Sequence, residues 1–92
     1  MIMSFRSRAL KRFWERGDES QFQKHDLQQI TDILDALDAA TCPNSMDLPG
    51  LKFHSLKGDM LGRYSVTVRA NYRITFAWSD GDAVEVDYED YH

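Results

Sequence analysis

The sequence predicts an α+β fold: a twisted antiparallel sheet with two N-terminal helices packed on one face. Three observations predict it. Apolar residues in the first half recur at helical spacing, whereas from Leu51 onward the period falls to two. Short turn sequences separate the alternating segments, as sequential hairpins require. The chain has 92 residues, 42% of them hydrophobic, enough for one modest core, so residues 1–92 are expected to form a single domain.

The elements follow in order. Residues 1–5 are short and partly apolar and suit a first strand. Ser7 is placed to cap a helix that carries Leu10, Phe13 and Trp14 on one face, and Gly17 is its natural stop. After a polar loop, Asp26 occupies an N-cap position with Gln29 three residues on, a variant of the capping box. Leu27, Ile30, Leu34 and Leu37 then form an apolar stripe, with Asp32, Asp35 and Asp38 mostly off it. Cys42 to Gly50, with Pro43 and Pro49, breaks this pattern. Strands are predicted over 51–56, 62–69, 72–78 and 83–88, and the Asp80-Gly81 pair favours a tight hairpin.

Counting by twos sorts the strand side chains. Leu51, Phe53, Tyr64, Val66, Val68, Ile74, Phe76, Trp78, Val84, Val86 and Tyr88 fall on the core face. Lys52, His54, Arg63, Ser65, Thr67, Arg69, Arg73 and Thr75 are left on the opposite, polar face.

Charge supports that division. The net charge is −4, which alone disfavours nucleic acid, but residues 1–16 and 51–73 each sum to +4 while the remaining segments are acidic. Local potential governs phosphate contact more than the net sum does. The single cysteine, Cys42, has no disulfide partner and no metal-ligand spacing, so neither metal nor cofactor is expected. The opening MIMSFRSRALKRFW has basic residues with no apolar run behind them, which argues against a signal peptide or membrane span and for a cytoplasmic protein.

The polar face holds the parts for metal-free RNA cleavage. A base takes the ribose 2′-hydroxyl proton, cations stabilise the phosphorane, and an acid protonates the leaving 5′-oxygen. Histidine, with an ordinary pKa of about 6.5, suits the proton transfers, and arginine's fixed fork suits phosphate. Each residue also has a bland reading: a solvated strand histidine, or arginines paired with Glu85 and Asp87. The ending Tyr88-Glu89-Asp90-Tyr91-His92 adds an aromatic ring and an imidazole.

These residues carry a family likeness over essentially the whole chain. Ile2 to Phe5, the Lys52 to Asp59 segment KFHSLKGD, the Ser65 to Phe76 segment SVTVRANYRITF, and the closing Asp87 to His92 together resemble HigB-type toxins of the RelE/ParE superfamily. The resemblance implies a RelE-like fold and a ribosome-dependent, metal-independent endoribonuclease that cuts mRNA in the 30S A site. By the same resemblance, His54, Lys57, Arg73, Asp90, Tyr91 and His92 form the active site. His54 and His92 are its acid/base pair in either order, and Tyr91 orients or stacks the nucleotide. Lys52, Arg63, Arg69 and Arg73 would bind RNA. The implied partners are a HigA-like helix-turn-helix antitoxin, the ribosome and mRNA, with operator DNA reached only through the antitoxin. Tyr72 stands where many relatives have Trp. Two other functions compete: a ParE-like toxin that binds a topoisomerase, and a weakly active relic that modulates antitoxin–DNA binding.

Overall fold

The computed structural model describes residues 1–90. Helix α1 spans Arg8–Arg16, α2 spans Leu27–Ala39, and the strands are β1 (His54–Ser55), β2 (Arg63–Arg69), β3 (Tyr72–Ser79) and β4 (Asp82–Asp90). The strands form one antiparallel sheet in the order β1-β2-β3-β4. Sequence order and sheet order coincide because each connection is short and returns the chain beside itself. The architecture is α+β, as predicted.

The helices start and stop for local reasons. The Ser7 hydroxyl accepts from the Leu10 N–H at 3.2 Å, satisfying a donor that the first turn leaves orphaned. Gly17 adopts a left-handed conformation (φ 71°) that lets its N–H reach the Phe13 carbonyl at 3.0 Å. Helix α1 inserts Leu10 fully into the core, with Phe13 and Trp14 packed at its margin. Helix α2 buries Ile30, Ile33, Leu34 and Leu37 against Val66, Ile74, Phe76 and Val86 of the sheet. Ile33 widens the predicted stripe.

Four expectations need correction. Residues 1–5 are not a full strand. They run parallel to the outer edge of β4 through two isolated bridges, Ile2 with Ala83 and Phe5 with Val86. The predicted strand 51–56 is reduced to His54–Ser55 because Lys52 takes a left-handed conformation (φ 52°) that kinks the chain. Leu51 still accepts from the Thr67 N–H at 2.7 Å. Asp26 does not cap α2: its side chain makes no cap hydrogen bond and is instead buried against Arg69. Val84 is not a core residue, since Ala83 takes the buried position there.

Two β-bulges explain the errors of side-chain alternation in β2 and β4. The register shifts between Thr67 and Arg69, and again where β3 and β4 pass Phe76. The second bulge centres on Glu85, whose φ of 51° inserts an extra residue. Alternation before and after it therefore differs by one: Ala83 faces the helices, and so do Val86 and Tyr88. The Asp80-Gly81 turn takes positive φ at both residues, as a tight hairpin requires.

Candidate active site

The face of the sheet turned away from the helices carries rows of cross-strand neighbours. The central row is His54, Ser65, Thr75 and Asp87, one residue from each strand. Beside it lie Thr67, Arg73 and Glu89 on one flank, and Arg63, Ala77 and Val84 on the other. Direct cross-strand partners stand close enough for side chains to touch. The face is polar yet well packed: Ser65, Thr75 and Arg63 are buried.

His54 lies at the exposed edge of this face. Its Nδ1 is 3.0 Å from the Lys52 carbonyl, and its Nε2 is 3.3 Å from the Ser65 hydroxyl. A carbonyl only accepts, so Nδ1 carries the proton in the neutral ring and Nε2 is the acceptor, while the Ser65 hydroxyl lies within 3.5 Å of both nitrogens. The kink at Lys52 turns that carbonyl toward the ring. Lys52 thus serves His54 through its backbone, while its side chain is exposed.

Two guanidinium groups lie deeper. Arg63 crosses the sheet to donate from Nη2 to the Thr75 hydroxyl at 2.9 Å and to the Glu85 carbonyl at 2.7 Å. The bulge at Glu85 is what frees this carbonyl from the ladder. Burial pulls the Arg63 pKa below the ordinary arginine value, and the nearby Arg6 adds to the effect. Arg73 reaches Glu89 at 3.4 Å. Glu89 also accepts from the Thr75 hydroxyl at 2.5 Å.

The predicted residues divide accordingly. His54, Arg63 and Arg73 come together on the polar face. Lys57 lies two residues beyond β1, exposed, at the entrance to a single helical turn, Gly58–Met60. Arg69 is not on this face. The bulge after Thr67 pairs it with Tyr72 on the helix side, where its Nε donates to buried Asp26 at 2.6 Å and its guanidinium lies over the Tyr72 ring. That hydrogen bond to Asp26 raises the Arg69 pKa. Asp90 is likewise opposite Tyr72 on the helix side, accepting from the Asn71 amide at the hairpin. Tyr91 and His92 lie outside the described residues. Among the described residues, no three His, Cys, Asp or Glu side chains converge as metal ligands would, and no helix is long and apolar enough to cross a membrane.

The predicted last strand ends at Tyr88 and so leaves out Glu89, whereas β4 runs on to Asp90; the bulge at Glu85 sets the register that puts Asp87 and Glu89 beside Thr75 and Arg73. An acid directly across from Arg73 would have been the signal, but only once the register was known.

Comparison with known proteins gives a consistent result. The family model for the RelE-like toxin HigB of type II toxin–antitoxin systems matches residues 3–92. The chain is 46% identical over 92 residues to endoribonuclease HigB of Proteus vulgaris, covering all of both chains. It is 30% identical over 94 residues to toxin HigB-1 of Vibrio cholerae serotype O1, covering 100% of this chain and 98% of the relative. Among solved structures, the YoeB dimer of Staphylococcus aureus superposes with a TM-score of 0.62 at 20% identity, covering 99% of this chain and 94% of that one. The YoeB–YefM heterotetramer from the same organism gives 0.63 at 21%, covering 100% and 95%. These two show the fold.

Proposed function

Because the chain belongs to the HigB family of RelE-like toxins of type II toxin–antitoxin systems, we propose that it is an endoribonuclease toxin whose polar sheet face cuts mRNA on the ribosome. An endoribonuclease activity accords with the 46% identity to the Proteus enzyme. As a toxin of such a system it works against an antitoxin partner, and a HigA-like helix-turn-helix protein is the antitoxin proposed.

The observation that carries the reading is the convergence of His54 with the guanidinium groups of Arg63 and Arg73 on one face. His54 offers the lone pair of Nε2, where a ribose 2′-hydroxyl would take the place of Ser65 as its hydrogen-bond donor. The deprotonated 2′-oxygen attacks phosphorus, the bond to the 5′-oxygen breaks, and an acid returns a proton to that oxygen. The products are a 2′,3′-cyclic phosphate and a 5′-hydroxyl end. Arg73 and Lys57 offset the charge that grows on the phosphorane. His92 is the proposed proton-transfer partner of His54, with Tyr91 stacking on the nucleotide and Asp90, whose carboxylate accepts from the Asn71 amide, as a further member of the active site. Lys52 and Arg63 extend the cationic surface for the RNA backbone. The charge of Arg69 is committed to Asp26 and is assigned to the fold.

Dependence on the ribosome fits the shape of the site. An open sheet face with an exposed His54 provides chemical groups but little to align a flexible RNA strand, and alignment is worth many orders of magnitude in rate. The 30S A site supplies it.

The test is to induce the protein in bacteria and map mRNA 5′ ends beside His54→Ala and His92→Ala. Cleavage within translated codons, lost in both variants, is expected. Equal toxicity from all three proteins with intact mRNA would overturn the nuclease reading and favour a target bound without chemistry. Efficient cutting of naked RNA would overturn the ribosome dependence.

A further inference from the structure

The polar face contains a directed hydrogen-bond chain whose middle members, Thr75 and Glu89, have no part in the proposed chemistry. Arg63 donates to the Thr75 hydroxyl, Thr75 donates to one oxygen of Glu89, and the other oxygen of Glu89 faces Arg73. Thr75 is fully buried, so its hydroxyl has a fixed donor and a fixed acceptor. Glu89 is cross-strand from Arg73, and both side chains are largely buried.

We propose that Glu89 is a positioning residue: held by Thr75, its carboxylate fixes the Arg73 guanidinium over the sheet in the orientation that receives the scissile phosphate. The inference rests on the reading that Arg73 stabilises phosphate charge. An acid beside an RNA site is at first sight unfavourable, because it repels the substrate. The geometry resolves this. One Glu89 oxygen is occupied by Thr75 and the other by Arg73, so the carboxylate presents its charge to partners within the protein. An arginine has several rotatable bonds, and a carboxylate partner narrows the orientations its guanidinium can take. The carboxylate engages Nη2 of Arg73 and so fixes one edge of the planar fork. Thr75 then has a purpose that its burial in a polar row otherwise lacks: its hydroxyl links Arg63 to the acid that holds Arg73.

Single-turnover cleavage of a defined mRNA on programmed ribosomes tests this with wild type, Arg73→Ala, Glu89→Gln, Thr75→Val and the double variant Glu89→Gln/Arg73→Ala. Glu89→Gln should lower the maximal rate about 10-fold with little change in half-saturation, since misplacing a catalytic group by about 1 Å costs up to 10²-fold. Thr75→Val should act in the same direction. The double variant should be no slower than Arg73→Ala, because a residue that acts only through Arg73 has nothing left to position. A merely structural role would instead lower both backgrounds alike. Arg73→Ala at the wild-type rate would overturn the phosphate reading itself. A slow Arg73→Ala with Glu89→Gln at or above the wild-type rate would overturn the positioning role alone, the latter marking the carboxylate as a competitor of phosphate. Should Glu89→Gln fail to fold, Glu89→Asp, which keeps the charge on a shorter arm, is judged by the same criteria.

Discussion

Replacing Arg63 by methionine should leave the protein as stable as the wild type or more so, while impairing cleavage. Arg63 is only 6% exposed, yet two of its nitrogens, Nε and Nη1, have no hydrogen-bond partner among the described residues. Each such buried donor costs about 1–3 kcal/mol, together about 2–6 kcal/mol. Against this stand its two bonds, to the Thr75 hydroxyl and the Glu85 carbonyl, worth about 1.5–3 kcal/mol each because the donor is charged. The polar account therefore comes out near zero. Methionine keeps the length of the side chain and adds roughly 1.5–3 kcal/mol of apolar burial, while removing both the repulsion from Arg6 and the attraction of Glu89, Asp87 and Glu85, which offsets part of that gain. Neither former partner is stranded, since Thr75 keeps Glu89 and Glu85 is exposed. The expected change is between about 0 and 2 kcal/mol in favour of the variant. Urea denaturation followed by the fluorescence of Trp14 and Trp78 measures it, with an unchanged m-value as the check on two-state behaviour. A loss of more than about 2 kcal/mol would refute the reasoning, because it would mean that the bonds to Thr75 and Glu85 outweigh the orphaned donors. Ribosomal cleavage by the same variant should fall, marking Arg63 as a residue retained for function at the expense of stability.

Three further outcomes are expected. Ser7→Ala should lower stability by about 1 kcal/mol in thermal unfolding, the usual cost of removing an N-cap oxygen. Arg69→Met should lower the melting temperature more than Asp26→Asn does: the first leaves a carboxylate at 3% exposure with the His25 imidazole, at 3.6 Å, in place of a fixed guanidinium partner, whereas the second leaves a partly exposed guanidinium that water can solvate. Burial, reinforced by the charge of Asp26, pushes the Tyr88 hydroxyl up to about 12. The folded state then holds a proton that the unfolded state releases near pH 10, so stability should fall as pH rises from about 10 to 12. Tyr88→Phe should remove that slope, and ultraviolet titration of the wild type should show a tyrosine that ionises late.

The helices and hairpins were legible because their signals are local. A serine, a leucine and a glycine at fixed spacing define α1, and an Asp-Gly pair defines the last turn, wherever the rest of the chain lies. Asp26 was misread for the converse reason. Its sequence neighbourhood fits a cap, but the partner that claims its carboxylate is 43 residues away. No local pattern distinguishes a carboxylate that caps a helix from one that ties the helix to a distant hairpin. The kink at Lys52 was equally hidden, since lysine carries no preference for a left-handed backbone. It is nevertheless the feature that gives His54 its carbonyl partner.

The two bulges govern what remained illegible, and they act in opposite senses on the site. The bulge after Thr67 removes a cation from the polar face by rotating Arg69 toward the helices, where it closes on Asp26 and Tyr72. The bulge at Glu85 adds to that face: it releases the carbonyl that anchors Arg63 and brings Glu89 opposite Arg73. A sheet with strict alternation would have presented Arg69 as a third arginine and would have lacked the acceptor that Arg63 now uses. The bulged sheet holds two arginines with defined partners instead. For the phosphate-orienting role proposed for this face, two oriented cations serve better than three without anchors, because only fixed donors stabilise a transition state without reorganising when it forms.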